Sequence, residues 1–333
     1  MEERLRKILK IALQYGVTDV HFNIKEEIGK EMISIEMRVD GQMKRIIPSD
    51  VDTRLFRYLC YRANLDVSDT FQPQTGSFSE SIDGRNLSLR FAVVSSYQMK
   101  SGVLRILNNH RELRIDDLTQ DQYVKKWMKK ITETPDGLYI FSGPTGSGKT
   151  TSLYTILNAC QGKKIFTLED PVEVVNEKYV QLQINEAMHL SYAEGIRQLM
   201  RHDPDIIMIG EIRDDIAAQM AVRCALTGHL VVTSLHSSSC VSAILRMLDL
   251  GVKKYQLEDI LRGVSNQRLY DYPNGMKTGV YEVMNEKEVK YYFENGTTSR
   301  AFKDLSFILQ EAGKKGIILP QMEKTCHTSR RVL

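Results

Sequence analysis

The chain has 333 residues, of which 42% are hydrophobic and 26% are charged, and its formal net charge is +3. This length predicts two domains, and the composition is that of an ordinary globular protein. Dedicated nucleic-acid binders concentrate a larger basic excess, so the charge argues against one. The five cysteines are scattered without a C-x-x-C pair, which argues against a disulfide framework and a cysteine zinc site and fits a reducing cytosol.

The first residues, "MEERLRKILKIALQYG", combine charges with apolar residues at helical spacing. They lack the apolar core of a signal peptide. No apolar run of the sequence reaches the roughly 20 residues that a bilayer-spanning helix needs. We therefore expect a cytoplasmic protein that touches a membrane only through a partner or through its surface.

The first third of the chain has the patterns of a small α+β domain. A helix is predicted over residues 2–15, and another in "DVDTRLFRYLCYRANL". "ISIEMRVDGQMKRII" and "GSFSESIDGRNLSLRFAVVSS" alternate apolar and polar residues around a central Asp-Gly, which predicts two β-hairpins. We place this domain at residues 1–109 and a polar linker, "HRELRIDDLTQD", within 110–122.

From residue 123 to the end, short apolar runs alternate with helical segments. This pattern is typical of buried parallel strands joined by helices, and it predicts an α/β domain over residues 123–333. The four runs that we predict to be strands are Leu138–Phe141, Ile165–Leu168, Ile206–Ile209 and Leu230–Thr233.

The stretch "FSGPTGSGKT" carries the pattern G-x-x-x-x-G-K-[ST] between an apolar strand and a helix. Its glycines let successive backbone amides point at phosphate oxygens. Lys149 neutralises the β- and γ-phosphates, the Thr150 hydroxyl can ligate Mg²⁺, and the helix directs its positive end at the same anion. The predicted nucleotide site consists of Gly143, Pro144, Thr145, Gly146, Ser147, Gly148, Lys149, Thr150 and Thr151.

Acidic residues follow two of the other predicted strands. "FTLEDPVE" places Glu169 and Asp170 just past an apolar run, and "HDPDIIMIGEIRD" ends its strand in Gly210 and Glu211. Ligands of open α/β sheets bind at the carboxyl ends of the strands. An acid on the second of these strands holds Mg²⁺ in P-loop enzymes, and Glu211 is the residue available for it. An ordinary acidic turn is the alternative for the first segment.

The fourth predicted strand, in "TGHLVVTSLH", is flanked by His229 and His236. Single histidines are more often structural than functional, but two around one strand favour a role. Either can donate to a phosphate oxygen or respond to the state of the nucleotide. A metal site is disfavoured because no third ligand stands at suitable spacing.

These four motifs, in this order, resemble the secretion ATPase family, the hexameric motors of type II secretion, type IV pili and competence pili. "GPTGSGKTT" resembles its Walker A motif, "LEDPVE" its Asp box, "DPDIIMIGEIRD" its atypical Walker B motif and "TGHLVVTSLH" its His box. "TDVHFNI", "MRVDG", "GVSNQRL" and "GVYEVM" also match family segments. The resemblance implies a RecA-like P-loop ATPase domain with a smaller N-terminal α+β (PAS-like) domain.

The resemblance also implies roles for individual residues. Glu169 becomes the candidate general base, and Glu211 holds Mg²⁺ through water, next to Thr150. Arg90 and Arg105 match N-terminal-domain arginines that meet the γ-phosphate, although a solvated strand arginine is an equal alternative for each. Arg213 matches the family without an assigned role. The implied ligands are ATP and Mg²⁺, and the implied partners are a homo-hexamer and a polytopic inner-membrane platform protein, without direct nucleic-acid binding.

Departures from the family pattern refine the expectation. Many assembly motors bind zinc through four cysteines between "QRL" and "YEVM", whereas "YDYPNGMKT" holds none, so no zinc is expected. The compact chain, "GVYEVM", and the lack of a retraction-type "AIRNLIRE" helix favour a competence-type assembly motor. A retraction motor and a type II secretion ATPase are the alternatives. A nucleic-acid motor and a non-catalytic nucleotide-gated scaffold are hypotheses of other classes.

Overall fold

The computed structural model describes the chain except for residues 28–29, 40–41, 67–71, 97–98, 108–112, 185–189, 272–276 and 317–333. The chain divides into two compact units. The first comprises Met1–Arg111 and Glu173–Asn176, and the second comprises Glu112–Val172 and Glu177–Leu333. Each unit has its own sheet and its own hydrophobic core.

The first unit is an antiparallel sheet of six strands with two helices. The strand order is β3-β2-β1-β6-β5-β4, and every neighbouring pair is antiparallel. The elements, in chain order, are α1 (Glu2–Gln14), β1 (Asp19–Glu27), β2 (Lys30–Val39), β3 (Gln42–Arg45), α2 (Asp52–Arg62), β4 (Gln74–Ile82), β5 (Arg85–Ser96) and β6 (Met99–Ile106).

Both predicted hairpins of this unit are confirmed. β2 and β3 pair with Val39 opposite Gln42, although the turn residues themselves, 40 and 41, lie outside the described part of the chain. β4 and β5 are joined at Asp83 and Gly84, whose φ angles are 48° and 78°. A type I′ turn requires positive φ at both central residues, which the Asp-Gly sequence accepts.

The core of the first unit forms because the apolar faces of both helices cover one face of the sheet. In α1 the buried residues recur at helical spacing, as the sequence predicts. Phe91 on β5 packs edge-on against Phe22 of β1 and Phe56 of α2, with ring centroids 6.0 and 5.4 Å apart. Such aromatic pairs contribute beyond the apolar area that they bury.

The second unit is an α/β domain with a seven-stranded sheet. The strand order is β13-β12-β7-β11-β10-β8-β9. Its elements are α3 (Ile115–Leu118), α4 (Gln122–Glu133), β7 (Gly137–Ser142), α5 (Lys149–Ala159), β8 (Ile165–Glu169), β9 (Val180–Gln183), α6 (Tyr192–Leu199), β10 (Ile206–Ile209), α7 (Asp215–Leu226), β11 (Leu230–Leu235), α8 (Cys240–Asp249), α9 (Lys254–Ile260), β12 (Leu261–Asp271), β13 (Lys277–Asn285), α10 (Glu286–Asn295) and α11 (Leu305–Lys314).

The four predicted apolar runs are confirmed as the adjacent strands β7, β11, β10 and β8. They pair in parallel, and all their residues are buried. β12 also runs parallel to β7, and β9 runs parallel to β8, whereas β13 is antiparallel to β12. Because parallel strands point the same way, the segments that follow β7, β8, β10 and β11 all leave the same edge of the sheet.

The segment predicted as the linker spans residues 110–122, of which the structure describes residues 113–122. Part of it forms the short helix α3, which belongs to the second unit. Ile115 and Leu118 are 6% and 7% exposed, so this segment has an apolar side that polar composition alone concealed. The Asp117 side chain also accepts a hydrogen bond from the Arg114 amide, which closes a capping box at the start of the helix.

One buried ion pair joins the two helices of the first unit. The Asp52 side chain is 1% exposed and accepts hydrogen bonds from Arg4 Nε at 2.8 Å and Arg4 Nη2 at 3.0 Å. The Ser49 amide donates to the same carboxylate. Among the described residues, Arg4 is the only cationic side chain paired with this carboxylate, so removing it leaves a buried charge without compensation.

We therefore expect Arg4→Ala to lower the free energy of unfolding of the first unit by about 3 kcal/mol. Lys7→Ala, on the same helix, removes only an exposed pair with Glu3 and should leave stability nearly unchanged. Hydrogen exchange of the α1 and α2 amides, together with urea unfolding of the full chain, measures both. Equal effects of the two substitutions would contradict the importance of the buried pair.

Candidate nucleotide site

The candidate site lies where β7 ends, between β11 on one side and β12 on the other. Residues 143–148 form the phosphate loop between β7 and α5. β8 and β10 end at the same edge, with Leu168 opposite Ile209. The sheet therefore brings the loop, the acid that ends β8 and the segments after β10 and β11 to one edge of the sheet of the second unit.

The phosphate loop has the backbone conformation that its glycines permit. Gly143, Gly146 and Gly148 have φ angles of 147°, 76° and 87°. A Cβ atom on Gly143 would lie 2.6 Å from both the Gln267 carbonyl oxygen and Ser147 Oγ, so only glycine fits there. Ser147 Oγ is buried and has no hydrogen-bond partner within the described part of the chain.

Lys149, the first residue of α5, folds its side chain back over this loop. It is 8% exposed, and its Nζ donates to the carbonyl oxygens of Gly143 at 3.0 Å and Pro144 at 3.1 Å. The ammonium group is thus held at the loop, together with the N-terminus of an 11-residue helix. Positive charge and a helix N-terminus at one place favour an anion.

A row of polar contacts runs from this lysine along the carboxyl edge of the sheet. Lys149 Nζ lies 3.5 Å from His236 Nδ1, and His236 Nε2 lies 3.2 Å from Glu211 Oε1. Glu211 Oε2 accepts from Arg213, which also donates to Asp170 at 3.1 Å. Beyond the histidine, anionic and cationic groups alternate in the order Glu211, Arg213 and Asp170.

The row uses both nitrogens of His236. A lysine ammonium can only donate, so Nδ1 is the acceptor in the longer contact. Nε2 then carries the hydrogen that faces the Glu211 carboxylate. The neutral tautomer protonated on Nε2 satisfies both contacts. In this form His236 connects Lys149, the expected phosphate-binding residue, with Glu211, the expected metal-binding residue.

Glu169 is held in a separate buried network at the end of β8. It is 3% exposed, and its Oε1 accepts hydrogen bonds from Tyr154 at 2.7 Å, Thr167 at 2.6 Å and Gln181 at 3.3 Å. The Tyr154 hydroxyl in turn accepts from Gln181 at 2.8 Å. Three donors on one oxygen fix the orientation of the carboxylate.

Burial and hydrogen bonding shift the pKa values of groups around these carboxylates. The pKa of Tyr154 is raised far above its ordinary value, chiefly by burial and then by the charge of Glu169, so this hydroxyl remains a donor. The pKa of Tyr192 is raised to about 12, first by burial and then by Asp170. The hydrogen bond to Glu211 raises the pKa of Arg213, which stays protonated.

The structure does not bring His229 to this edge of the sheet. It precedes β11 and lies at the opposite end of that strand from His236, where its carbonyl accepts from the Gly137 amide. Its Nδ1 lies 3.2 Å from the Cys224 carbonyl oxygen and 3.1 Å from Thr227 Oγ1. Six strand residues extend about 20 Å, so the two flanking histidines lie at opposite edges of the sheet.

The two predicted arginines belong to the first unit. Arg90 on β5 and Arg105 on β6 are directly opposite each other, so their side chains share one face of that sheet. Arg105 is exposed, and its Nε donates to Asp19 Oδ1 at 2.6 Å. Arg90 is half-buried.

The residues of the second unit fit a bound nucleotide and its metal. The positive φ angles, the unpartnered Ser147 hydroxyl and the buried Lys149 suit phosphate oxygens. Thr150 is half-buried at the start of α5, and Glu211 is 23% exposed at the same edge. A hydroxyl and a carboxylate are oxygen ligands of the kind that Mg²⁺ takes.

Sequence reasoning missed the groups that support these residues. Tyr154, Thr167 and Gln181 hold Glu169, and Gln267 donates to the Ser147 carbonyl oxygen at 2.7 Å. The only available signal was position, since Tyr154 lies six residues after the phosphate loop, on α5, and Thr167 precedes Glu169 by two strand residues. The short edge strand β9, which supplies Gln181, has no comparable pattern.

Comparison with known proteins shows which family the chain resembles. The family described as type II/IV secretion system protein matches residues 1–306. The competence protein ComGA of Bacillus subtilis is 30% identical over 341 residues, covering 96% of this chain and 94% of ComGA. The type II secretion system protein E of Pseudomonas aeruginosa is 33% identical over 270 residues, 80% of this chain and 53% of that protein. The chain thus spans about half the length of the type II secretion relatives that it matches.

A solved structure has the same fold. The pilus retraction motor PilT with bound ADP aligns with a TM-score of 0.70 and 24% identity, over 95% of this chain and 94% of PilT. This confirms the predicted fold, a RecA-like α/β domain with a smaller N-terminal α+β domain. Since the family matches more than nine tenths of the residues and ComGA aligns along nearly its whole length, the chain belongs to the type II/IV secretion system protein family.

Proposed function

We propose that the chain is an ATP-hydrolysing motor of a pilus or secretion machine. The observation that carries this proposal is the row of contacts Lys149–His236–Glu211–Arg213 at the edge of the sheet, beside the phosphate loop. The row contains a phosphate-binding cation, an acid suited to a metal, and a histidine between them. Membership of a family whose relatives act in secretion and competence supports the same conclusion.

In this proposal the phosphate loop binds the triphosphate. The amides of the loop and of the first turn of α5 donate to its oxygens, and Lys149 exchanges its loop carbonyls for the β- and γ-phosphates. Thr150 and, through water, Glu211 would hold Mg²⁺, which when bound neutralises the charge that develops on the phosphoryl oxygens. His236 keeps Glu211 in place and is near enough to Lys149 to respond to the same phosphates.

Glu169 is the proposed general base. Because its Oε1 is fixed by three donors, the carboxylate has one orientation in which to align the attacking water and accept its proton. Tyr154 remains protonated at physiological pH, since its pKa is strongly raised, and so it supports the carboxylate without competing for the proton. Orientation of this kind supplies much of catalysis in phosphoryl transfer.

The proposed working form is a homo-hexamer in which Arg90 and Arg105 stabilise charge on the γ-phosphate. The two arginines stand opposite each other on neighbouring strands of the first unit, so their side chains share one face of that sheet, where Arg105 is also paired with Asp19. Guanidinium groups are suited to phosphate oxygens because their charge is permanent and their donors are planar. Hydrolysis would then change the contacts of these side chains and do mechanical work.

Assembly of a competence-type pilus, and so DNA uptake, is the proposed task. Its support is the match to ComGA, which extends along 94% of that protein. Pilus retraction and type II secretion are the alternative tasks. The proposed partner is a polytopic platform protein of the inner membrane. In the part of the chain that is described, none of the helices has both the length and the apolar surface for crossing a bilayer, and we propose membrane association through this partner.

Glu211→Gln should lower the rate of ATP hydrolysis by about 10²-fold, because the amide is a poorer partner for water bound to the metal. ATP affinity, measured with a fluorescent analogue, should stay nearly unchanged. Glu194→Gln, which alters an exposed carboxylate on α6, is the matched control and should retain wild-type hydrolysis. In cells that lack the native gene, only the control should restore pili and DNA uptake. Normal hydrolysis by Glu211→Gln would remove its proposed role.

Tyr154→Phe should lower kcat about tenfold at unchanged KM, because Glu169 loses a donor to its charged oxygen. Tyr281→Phe is a closely matched control. Tyr281 is also a buried tyrosine next to α5, but its hydroxyl bonds to Ser152 instead of Glu169. Steady-state kinetics of both variants decide the matter. The role of Tyr154 would be refuted by equal kcat values for the two.

Mixed rings test the arginines. Arg90→Ala and Glu211→Gln should each lower hydrolysis strongly, but co-expressed chains should recover part of it if Arg90 serves the nucleotide of a neighbouring subunit. Arg45→Ala, which removes an arginine paired with Glu36 on the same sheet, should not reduce hydrolysis. Measured activity of purified mixed rings, made from differently tagged chains, gives the answer. A mixture as inactive as its two components would argue against action between subunits.

A further inference from the structure

The turn formed by residues 237–239, which leads into α8, is held at both ends by buried side chains. Asn266 Nδ2 donates to the Ser237 carbonyl oxygen at 3.0 Å, and Glu282 Oε1 accepts from the Cys240 amide at 2.7 Å. Asn266 on β12 stands directly opposite Glu282 on β13, so the two side chains lie on the same face of the sheet. Both residues are at most 2% exposed.

Asn266 also holds the strand that leads into the phosphate loop. Its Nδ2 donates to Ser142 Oγ at 2.9 Å, and its Oδ1 accepts from Arg268 at 2.7 Å. The side chain therefore uses both amide hydrogens and its carbonyl oxygen. One buried amide thus fixes the residue before Gly143 relative to the turn that follows His236.

This arrangement matters because His236 is the residue that contacts both Lys149 and Glu211. Asn266 is hydrogen-bonded to neither Lys149 nor Glu211, and its amide hydrogens instead hold the neighbouring segments at Ser142 and Ser237. A misplacement of about 1 Å in a catalytic site can cost about 10²-fold in rate. A buried side chain with all its hydrogen bonds formed is suited to prevent such a shift, because any displacement of the turn would leave buried polar groups without hydrogen bonds.

We propose that Asn266 is a positioning residue of the nucleotide site, which sets His236 relative to the phosphate loop, and that Glu282 holds the other end of the same turn. The inference rests on the proposed ATPase function, in which His236 and its neighbours act on the bound triphosphate. It adds two residues, Asn266 from the segment "GVSNQRL" and Glu282 from "GVYEVM", which bond to segments beside the site.

Glu282 extends the same connection to α11. Its Oε2 accepts from the amide of Leu305, the first residue of that helix, at 2.9 Å. Its other oxygen accepts from the first residue of α8. Both helix N-termini favour a negative charge, which explains how a carboxylate is retained at this depth. The turn and the start of α11 are therefore anchored to one side chain.

The test compares Asn266→Ala with Ser265→Ala. Ser265 is the preceding residue, equally buried, and its Oγ has no hydrogen-bond partner among the described residues. Asn266→Ala should lower kcat by ten- to a hundredfold with little change in KM. Ser265→Ala should keep both constants at wild-type values. Equal losses in the two variants would show a general packing effect and overturn the proposal.

A second comparison separates positioning from mere stability. In a His236→Ala background, Asn266→Ala should cause no further loss of kcat, because its effect passes through the histidine. Multiplied losses in the double variant would overturn the proposal. If Asn266→Ala fails to fold, Ser142→Ala takes its place, since it removes one acceptor of the amide, and the same absence of further loss is required.

Hydrogen exchange keeps the test independent of the proposed function. Asn266→Ala should speed exchange at the amides of residues 237–242 and leave the start of α11 unchanged. Glu282→Gln replaces one acceptor oxygen by an NH₂ group, which cannot accept from the Cys240 or Leu305 amide, and it removes the charge that both amides face. This variant should speed exchange at the starts of both α8 and α11. Absence of ATP hydrolysis in the wild-type chain would refute the ATPase function alone. Unchanged exchange in both variants would refute the positioning pair.

Discussion

The buried ammonium group of Lys149 is the constraint on which the rest of the site depends. A charge with 8% exposure is stable only where polar groups surround it, and here two carbonyl oxygens of the phosphate loop accept from it directly. The loop has this shape because glycines with positive φ turn the chain sharply between β7 and α5. The acids reach the same place because parallel strands end at a common edge. The sheet topology therefore determines which charged groups lie close to this ammonium group.

The sequence predicts this part of the molecule well because each element has a strong local signal. Four wholly apolar runs indicate buried parallel strands, and the residues after them must meet at one edge. The two Asp-Gly turns likewise predict the hairpins of the first unit, and Asp83 and Gly84 have the expected positive φ angles. Where one local rule fixes one element, sequence and structure agree.

Other features depend on distances that no local pattern contains. His229 and His236 look equivalent in sequence, yet they flank a six-residue strand and so lie at its opposite ends. Gln181 reaches Glu169 from the edge strand β9, and Asn266 reaches the His236 turn from β12, far along the chain. The helix α3 was hidden by its polar composition, because only Ile115 and Leu118 carry its buried side. Such contacts follow from tertiary packing and not from spacing.

The triphosphate and its metal are the proposed common ligand of the phosphate loop, His236 and Glu211. The most direct measurement is a crystal structure of the chain with Mg²⁺ and a non-hydrolysable ATP analogue. It should show the triphosphate on the amides of residues 143–150, Lys149 at its terminal phosphates and Glu211 next to the water shell of the metal. An analogue bound elsewhere, with Lys149 still on its loop carbonyls, would contradict the account.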